Sequence, residues 1–409
     1  MGILSKRSKF AQNPIREDDN TADKLARKGR KIIKLSTGDP PAYIPTPKYI
    51  VDAYIDALKN GKTGYSRSEG IYEMINAVIG RYKRMYGVNL NENDVVSTQG
   101  ISEGLHIMNS ALVNDGDYAI TFKPYFPAYA SNLYLSGGRF IFQQYNESDR
   151  WNIDADAASR SIAKIRKTSR GKHLKYLLLA NPNNPTGTVL HRPALEEIVE
   201  IANNNDLLLI SDEIYDEIVY NGAKFTSMSK LAKGIPHVIL YGASKNYQAT
   251  GFRIGFMIVP ESDRVSAKVK ETFADYARSR LSINTPAQYA VAEAMNNVKE
   301  HRRAIKNLVK IVSQRTNYAV DKLERNTYMS TVRPNGAFYI LPKVDMKELK
   351  LKNDAEFVSK LLMEENIQII RGSGFGAPGH IRIVSLAPKE ILGYAIDRIN
   401  AFCERHAKR

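Results

Sequence analysis

The chain has 409 residues, 43% hydrophobic and 25% charged, a length and composition that fit a soluble globular protein of about two domains. Its one cysteine, Cys403, excludes an internal disulfide and a thiolate-rich metal site, and its seven histidines show no HExxH-type spacing. The net charge of +16 comes from Lys and Arg spread among Asp and Glu, a pattern of solvated faces that predicts no nucleic-acid partner.

The N-terminus, MGILSKRSKF, holds too short an apolar run for a signal peptide, and Lys6 stands where myristoylation calls for a hydroxyl residue. No apolar stretch approaches the roughly 18 residues needed to span a bilayer, so a cytoplasmic protein without membrane contact is expected. Thr98-Gln99-Gly100-Ile101-Ser102 opens a helical pattern. Strands are predicted at Asp117–Phe122, Tyr176–Ala180, Leu207–Ser211, Val238–Tyr241 and Ile254–Val259, with amphipathic stretches such as Ala194–Asn203 between several of them. Apolar strands alternating with helices predict an α/β fold with a mostly parallel sheet covered on both faces. A long helical pattern from about Pro286 to Leu323 follows, then a strand at Gly336–Ile340, a helix at Ala355–Glu365 and strands near Ile367–Ile370 and Ile381–Ser385. These read as a smaller α+β domain. The expected division is 1–48 as a segment joining the small domain, 49–300 as the large domain and 301–409 as the small one.

Ligands of open α/β sheets bind beyond the carboxyl ends of the strands. Three consecutive strands here run into Asn181-Pro182-Asn183-Asn184-Pro185-Thr186-Gly187, Asp212-Glu213-Ile214-Tyr215 and Gly242-Ala243-Ser244-Lys245, bringing an amide, a carboxylate with a phenol, and an amine to one edge. A carboxylate in that place is costly unless a cation faces it, and a lysine among apolar groups becomes a neutral nucleophile toward carbonyls. Arg253 and the free N–H groups around Ile101 and Ser102 form a phosphate seat. Taken singly, each residue has an ordinary reading: Asp212 and Ser102 as helix caps, Asn184 as a turn residue, Lys245 as a surface lysine, Arg253 as half of a surface ion pair. The joint order at strand ends is what those readings do not require.

Asn183-Asn184-Pro185-Thr186-Gly187, Asp212-Glu213-Ile214-Tyr215 and Ser244-Lys245 followed by Gly251-Phe252-Arg253-Ile254-Gly255 resemble the class I/II aminotransferases, pyridoxal-phosphate enzymes of fold type I, over nearly the whole chain. The resemblance implies that Lys245 carries the cofactor as a Schiff base, that Asp212 pairs with the pyridine nitrogen, and that Tyr215 and Asn184 bond the ring oxygen. It further implies that Phe126 stacks on the ring, where many relatives have Trp or Tyr, and that Ile101, Ser102 and Arg253 hold the phosphate, with Ser244 a candidate further hydroxyl. Gly242 stands where several relatives have Ser, which leaves that phosphate network open. Tyr65 would reach the phosphate of a neighbouring subunit, which implies a homodimer with shared sites. Arg382 matches the arginine that grips the substrate α-carboxylate, and Gly38 matches a backbone contact to the same group. The implied reaction is amino-group transfer between an amino acid and a 2-oxo acid with ping-pong kinetics.

Within the family the pattern is most similar to the alanine aminotransferase branch, on Ser36-Thr37-Gly38-Asp39-Pro40, on 278–288, on Gly372-Ser373-Gly374-Phe375-Gly376 and on Pro14-Ile15-Arg16. Alanine and pyruvate would be the small pair, glutamate and 2-oxoglutarate the acidic pair. Arg16 and Arg280 are the candidate cations for a distal carboxylate. The alternatives are an aspartate or broad-range aminotransferase and, behind it, a C–S lyase of the same fold. A regulator fused to a DNA-binding module is disfavoured, because about 35 residues precede the motif region, too few for a winged helix-turn-helix.

Overall fold

The computed structural model describes residues 3–11 and 14–408. Residues 1, 2, 12, 13 and 409, which the expected domain ranges include, and the Pro14 side chain lie outside that description.

A sheet of eight strands forms the centre, in the order Val95–Thr98, Gly255–Ile258, His237–Gly242, Leu208–Asp212, Leu174–Ala180, Tyr118–Lys123, Arg139–Asn146, Asn152–Ile153. The four central pairings are parallel and the three toward the edges antiparallel. Continuous apolar runs occur because both faces are covered. Along Leu174–Ala180, Leu177 and Leu179 enter one core cluster while Tyr176, Leu178 and Ala180 enter the other, the period-2 alternation of a pleated strand. The five predicted strands lie within two residues of these bounds. Val95–Thr98 and Arg139–Asn146 lie outside the predicted strands: the first is buried throughout but ends in Ser97 and Thr98, and the second is partly exposed, with polar residues at its ends.

A second core, with Leu35, Phe357, Ile367, Ile396 and Phe402, lies in the C-terminal part. It is built on the antiparallel strands Tyr339–Ile340, Ile381–Val384 and Ile370–Arg371 and closed by the helix Lys389–Lys408. The N-terminal segment joins it directly: Ile33–Lys34 pairs in parallel with Ile367–Gln368, and Val384 N–H donates to the Leu35 carbonyl at 2.9 Å.

Two expectations need correction. The helical pattern from Pro286 is broken into Thr285–Asn296 and Val298–Leu323. Asn297 ends the first helix through its N–H to the Glu293 carbonyl and caps the second by accepting from Glu300 N–H, a competition with the helix ladder that suits Asn. The strand read at 367–370 is two short strands, and they pair with different partners on either side of Ile369. No helix among the described residues is long and apolar enough to cross a membrane.

Candidate active site

The carboxyl ends of the parallel strands converge as expected. Asp212, the last residue of its strand, is buried together with Asn184, Tyr215 and Ser244. Its Oδ2 accepts from the Tyr129 hydroxyl at 2.6 Å and its Oδ1 from Ile214 N–H at 3.2 Å. Burial outweighs these bonds and the nearby Lys245, and the carboxyl is pushed up to about 6. Phe126 makes an edge contact with Tyr129, ring centres 5.5 Å apart. It therefore lies one side chain from the carboxylate.

Lys245 donates from Nζ to the Gly38 carbonyl at 2.6 Å. Burial lowers its amine to about 8, with Asp39 opposing and the cations Arg382 and Arg253 adding to the effect. Gly38 has to be glycine, because a Cβ there would collide with the Tyr339 hydroxyl and lie 3.0 Å from the Phe338 ring. Tyr339 is in turn bonded hydroxyl to hydroxyl to Tyr215 at 2.6 Å.

At the other end of the cleft, Gly100 opens the helix Gly100–Leu112, with Ser102 exposed in its first turn. Arg253 sits in the left-handed region (φ 57°) and donates to the carbonyls of Thr250 (2.9 Å) and Gln99 (3.3 Å) rather than to a carboxylate. A side chain on Gly100 would strike the Arg253 guanidinium, and one on Gly255 would come within 2.7 Å of Ile101 N. These glycines let the arginine and the free N–H end of the helix meet. Gly242 likewise has no room for a side chain: a Cβ would stand 2.8 Å from the Ile254 carbonyl. Ser244 is the buried hydroxyl beside the lysine.

Arg382 is buried and donates from Nη1 to Asn184 Oδ1 at 3.1 Å and from Nη2 to the Ser36 carbonyl. Its Nε has no hydrogen-bond partner, and the rings of Phe375 and Tyr339 lie 4.6 and 4.9 Å from the guanidinium carbon. Arg16 is exposed on the N-terminal helix Pro14–Arg27, 3.8 Å from Asp19 Oδ2. Arg280 is not a free cation: it pairs with Glu103 at 3.1 Å and donates to the Ser97 carbonyl at 2.5 Å. Tyr65 is 86% exposed.

Sequence reasoning missed Tyr129 and Tyr339. Tyr129 lies one helical turn beyond Phe126, so that spacing was the available signal. Also missed was the support beneath Lys245. Arg81 is buried and bridges Asp216 (2.7 Å) and Glu217 (2.8 Å) under the Tyr241 ring, and Asp216 accepts from Asn246, the residue after the lysine. Removing one partner of a buried pair strands the other charge. Arg81→Met is therefore expected to cost about 3–5 kcal/mol in urea unfolding; a loss below about 1 kcal/mol would contradict the assignment.

Asp212 gives a second stability prediction. Its carboxyl titrates near 6 when folded against an ordinary 3.8. Between those values the folded form holds a proton that the unfolded form has lost, so stability falls as pH rises through that window. The cost above about pH 6 is on the order of 3 kcal/mol. Asp212→Asn should raise the melting temperature of the cofactor-free protein at pH 8 and flatten its pH dependence between 4 and 6, while weakening cofactor binding. Unchanged melting with an unchanged slope would refute this.

Residues 30–399 match the family model described as aminotransferase class I and II. The chain is 33% identical over 386 residues to the glutamate-pyruvate aminotransferase AlaA of Haemophilus influenzae, covering 93% of this chain and 92% of that one. It is 31% identical to an aspartate aminotransferase of Bacillus sp. (strain YM-2), at 93% and 94% coverage. Among solved structures, an alanine aminotransferase from Pyrococcus furiosus superposes with a TM-score of 0.91 at 34% identity, over 98% of this chain and 100% of that one. With the family model spanning nine-tenths of its length and the lysine, carboxylate and arginine gathered at the strand ends, this chain belongs to the class I and II aminotransferases, transaminases that depend on pyridoxal phosphate.

Proposed function

We propose that the enzyme moves an amino group between alanine or glutamate and pyruvate or 2-oxoglutarate, as a cytoplasmic homodimer, with Lys245, Asp212 and Arg382 as its central residues. What carries the reading is a lysine amine, Lys245, held at the Gly38 carbonyl beside a buried carboxylate, Asp212; burial lowers the amine and raises the carboxyl. A buried carboxylate seeks a cation, and a cofactor ring nitrogen supplies one. Side chains are excluded at Gly100 and Gly255, which brings the Arg253 guanidinium up to the start of the helix that carries Ile101 N–H, the kind of donors a phosphate would need. The residues therefore fit pyridoxal phosphate at both ends.

When bound, the cofactor supplies an aldehyde carbon for amine capture and a ring that draws electrons from the substrate Cα. Lys245 holds its amine neutral for much of the time near pH 8, and in that form Nζ takes the proton from the substrate Cα. Asp212, oriented by Tyr129, would keep a negative charge for the ring nitrogen, and Phe126 would cover the ring. Tyr215 and Asn184 would offer hydrogen bonds to the ring oxygen. Ile101 N–H, Ser102, Ser244 and Arg253 would hold the phosphate. Arg382 and the Gly38 backbone fix the α-carboxylate, which aims the Cα–H bond at Lys245, and Arg16 serves the distal carboxylate.

Two features support dimerisation. Tyr65 is largely exposed, and Val51, Ile55 and Leu58 form an apolar stripe, 37–46% exposed, on the helix Lys48–Lys59. The large unit at 49–300 would then carry the cofactor and the shared surface, with 1–48 and 301–409 forming the small unit.

A panel of amino donors against pyruvate and 2-oxoglutarate, read by keto-acid formation, tests the substrate reading. Alanine and glutamate should give the highest kcat/KM. A preference for aspartate or aromatic donors would replace it with the rival aminotransferase assignment, and ammonia with pyruvate would mean a lyase.

A further inference from the structure

The N-terminal helix places a carboxylate where the reaction has no use for one. Asp19 is buried, 6% exposed, and its Oδ1 accepts from the Ser36 hydroxyl at 2.7 Å, its Oδ2 from the Thr37 hydroxyl at 3.4 Å. Ser36 is also the residue whose carbonyl accepts from Arg382, so Asp19 lies one residue from the arginine assigned to the α-carboxylate, and its charge acts on that arginine. The neighbouring acids do not share this position: Glu17 and Asp18 are both engaged by Arg371, at 2.9 and 3.1 Å. Arg16, whose side chain is 72% exposed, leans toward Asp19 at 3.8 Å.

Asp19 thus sits between two cations, one buried and one exposed. A negative charge there weakens the field that any substrate carboxylate meets at Arg382. It acts more strongly on a second carboxylate, which must approach Arg16 while Asp19 holds it. We infer that Asp19 is a specificity-determining residue that, through its pairing with Arg16 and its place beside Ser36, biases the substrate site toward monocarboxylates and makes a dicarboxylate compete for Arg16. The inference rests on the reading of Arg382 as the α-carboxylate site.

Two analogues that are not turned over isolate the effect. Glutarate carries two carboxylates at the spacing of a five-carbon diacid, and butyrate carries one. Both are titrated into the cofactor-loaded enzyme and its Asp19→Asn variant, and Kd is read from the absorbance of the bound cofactor. The variant removes the charge and keeps an oxygen to accept from Ser36.

The affinity ratio of glutarate to butyrate should rise about tenfold in Asp19→Asn. A structural role alone, anchoring the helix, would shift both constants together and leave the ratio where it was. That result would overturn the inference, and so would a ratio that falls. If Asp19→Asn fails to hold the cofactor, Asp19→Ser is judged on the same ratio. Should the wild-type enzyme use neither alanine nor glutamate, the substrate reading fails, while the analogue ratio still decides the role of Asp19.

Discussion

Lys245→Ala should abolish transamination, lowering kcat by at least about 10⁴-fold, with the fold intact by circular dichroism. The expectation follows from two facts about one amine. It is held among buried groups that bring it down to about 8, and it donates a hydrogen bond to the Gly38 carbonyl, a contact that it can leave without stranding a buried charge. Arginine at this position would keep a cation and lose the nucleophile, so Lys245→Arg should be as inactive as the alanine variant. Activity within tenfold of the wild type in either variant would remove Lys245 from the chemistry.

The pH dependence carries the same signature. A lysine whose folded value is lowered toward 8 is neutral above it and charged below it. The proton-abstracting form therefore grows as pH rises from 6 to 8 and levels off beyond. The cofactor-free protein should also gain stability between about pH 8 and the ordinary lysine value of 10.5, because the unfolded chain there holds a proton that the folded one has released.

Arg382→Ala should lower kcat/KM for every amino donor by about two to three orders of magnitude, mainly through KM. The guanidinium is buried, with Nη1 on Asn184, Nη2 on the Ser36 carbonyl and the Phe375 and Tyr339 rings 4.6 and 4.9 Å from its carbon. One of its nitrogens, Nε, lacks any acceptor, which an incoming carboxylate can satisfy. Arg382→Lys keeps the charge without the planar fork and should recover only part of the loss. Steady-state kinetics with alanine and glutamate in parallel give the answer. A loss confined to one donor would place Arg382 at a side-chain subsite instead.

Part of this site was legible in the sequence because it is built from strand ends. The apolar runs at 176–180, 207–211 and 238–241 fix where the sheet stops, and the residues that follow, Asn184, Asp212 and Lys245, fall at one edge as a consequence of parallel topology. Their neighbours across the fold were not legible. Tyr129 reaches Asp212 from a helix 83 positions earlier, and Tyr339 reaches Tyr215 from the small unit 124 positions later. Beyond the one-turn spacing from Phe126 to Tyr129, no local pattern encodes such meetings. The Arg81 bridge was hidden for the same reason, since a buried arginine and an exposed one look alike in sequence until the carboxylates are placed. Arg280, read as a possible substrate cation, is occupied by Glu103. The helix break at Asn297 carried a local signal: an Asn between two helical patterns is a cap when its side chain finds an N–H three residues on.

Borohydride reduction of the cofactor-loaded protein, followed by peptide mass spectrometry, bears most directly on the central claim. The account predicts one irreversible cofactor adduct, on the peptide that carries Lys245, and its disappearance in Lys245→Ala. A reduced adduct on another lysine, or none in protein that has taken up the cofactor, would contradict it.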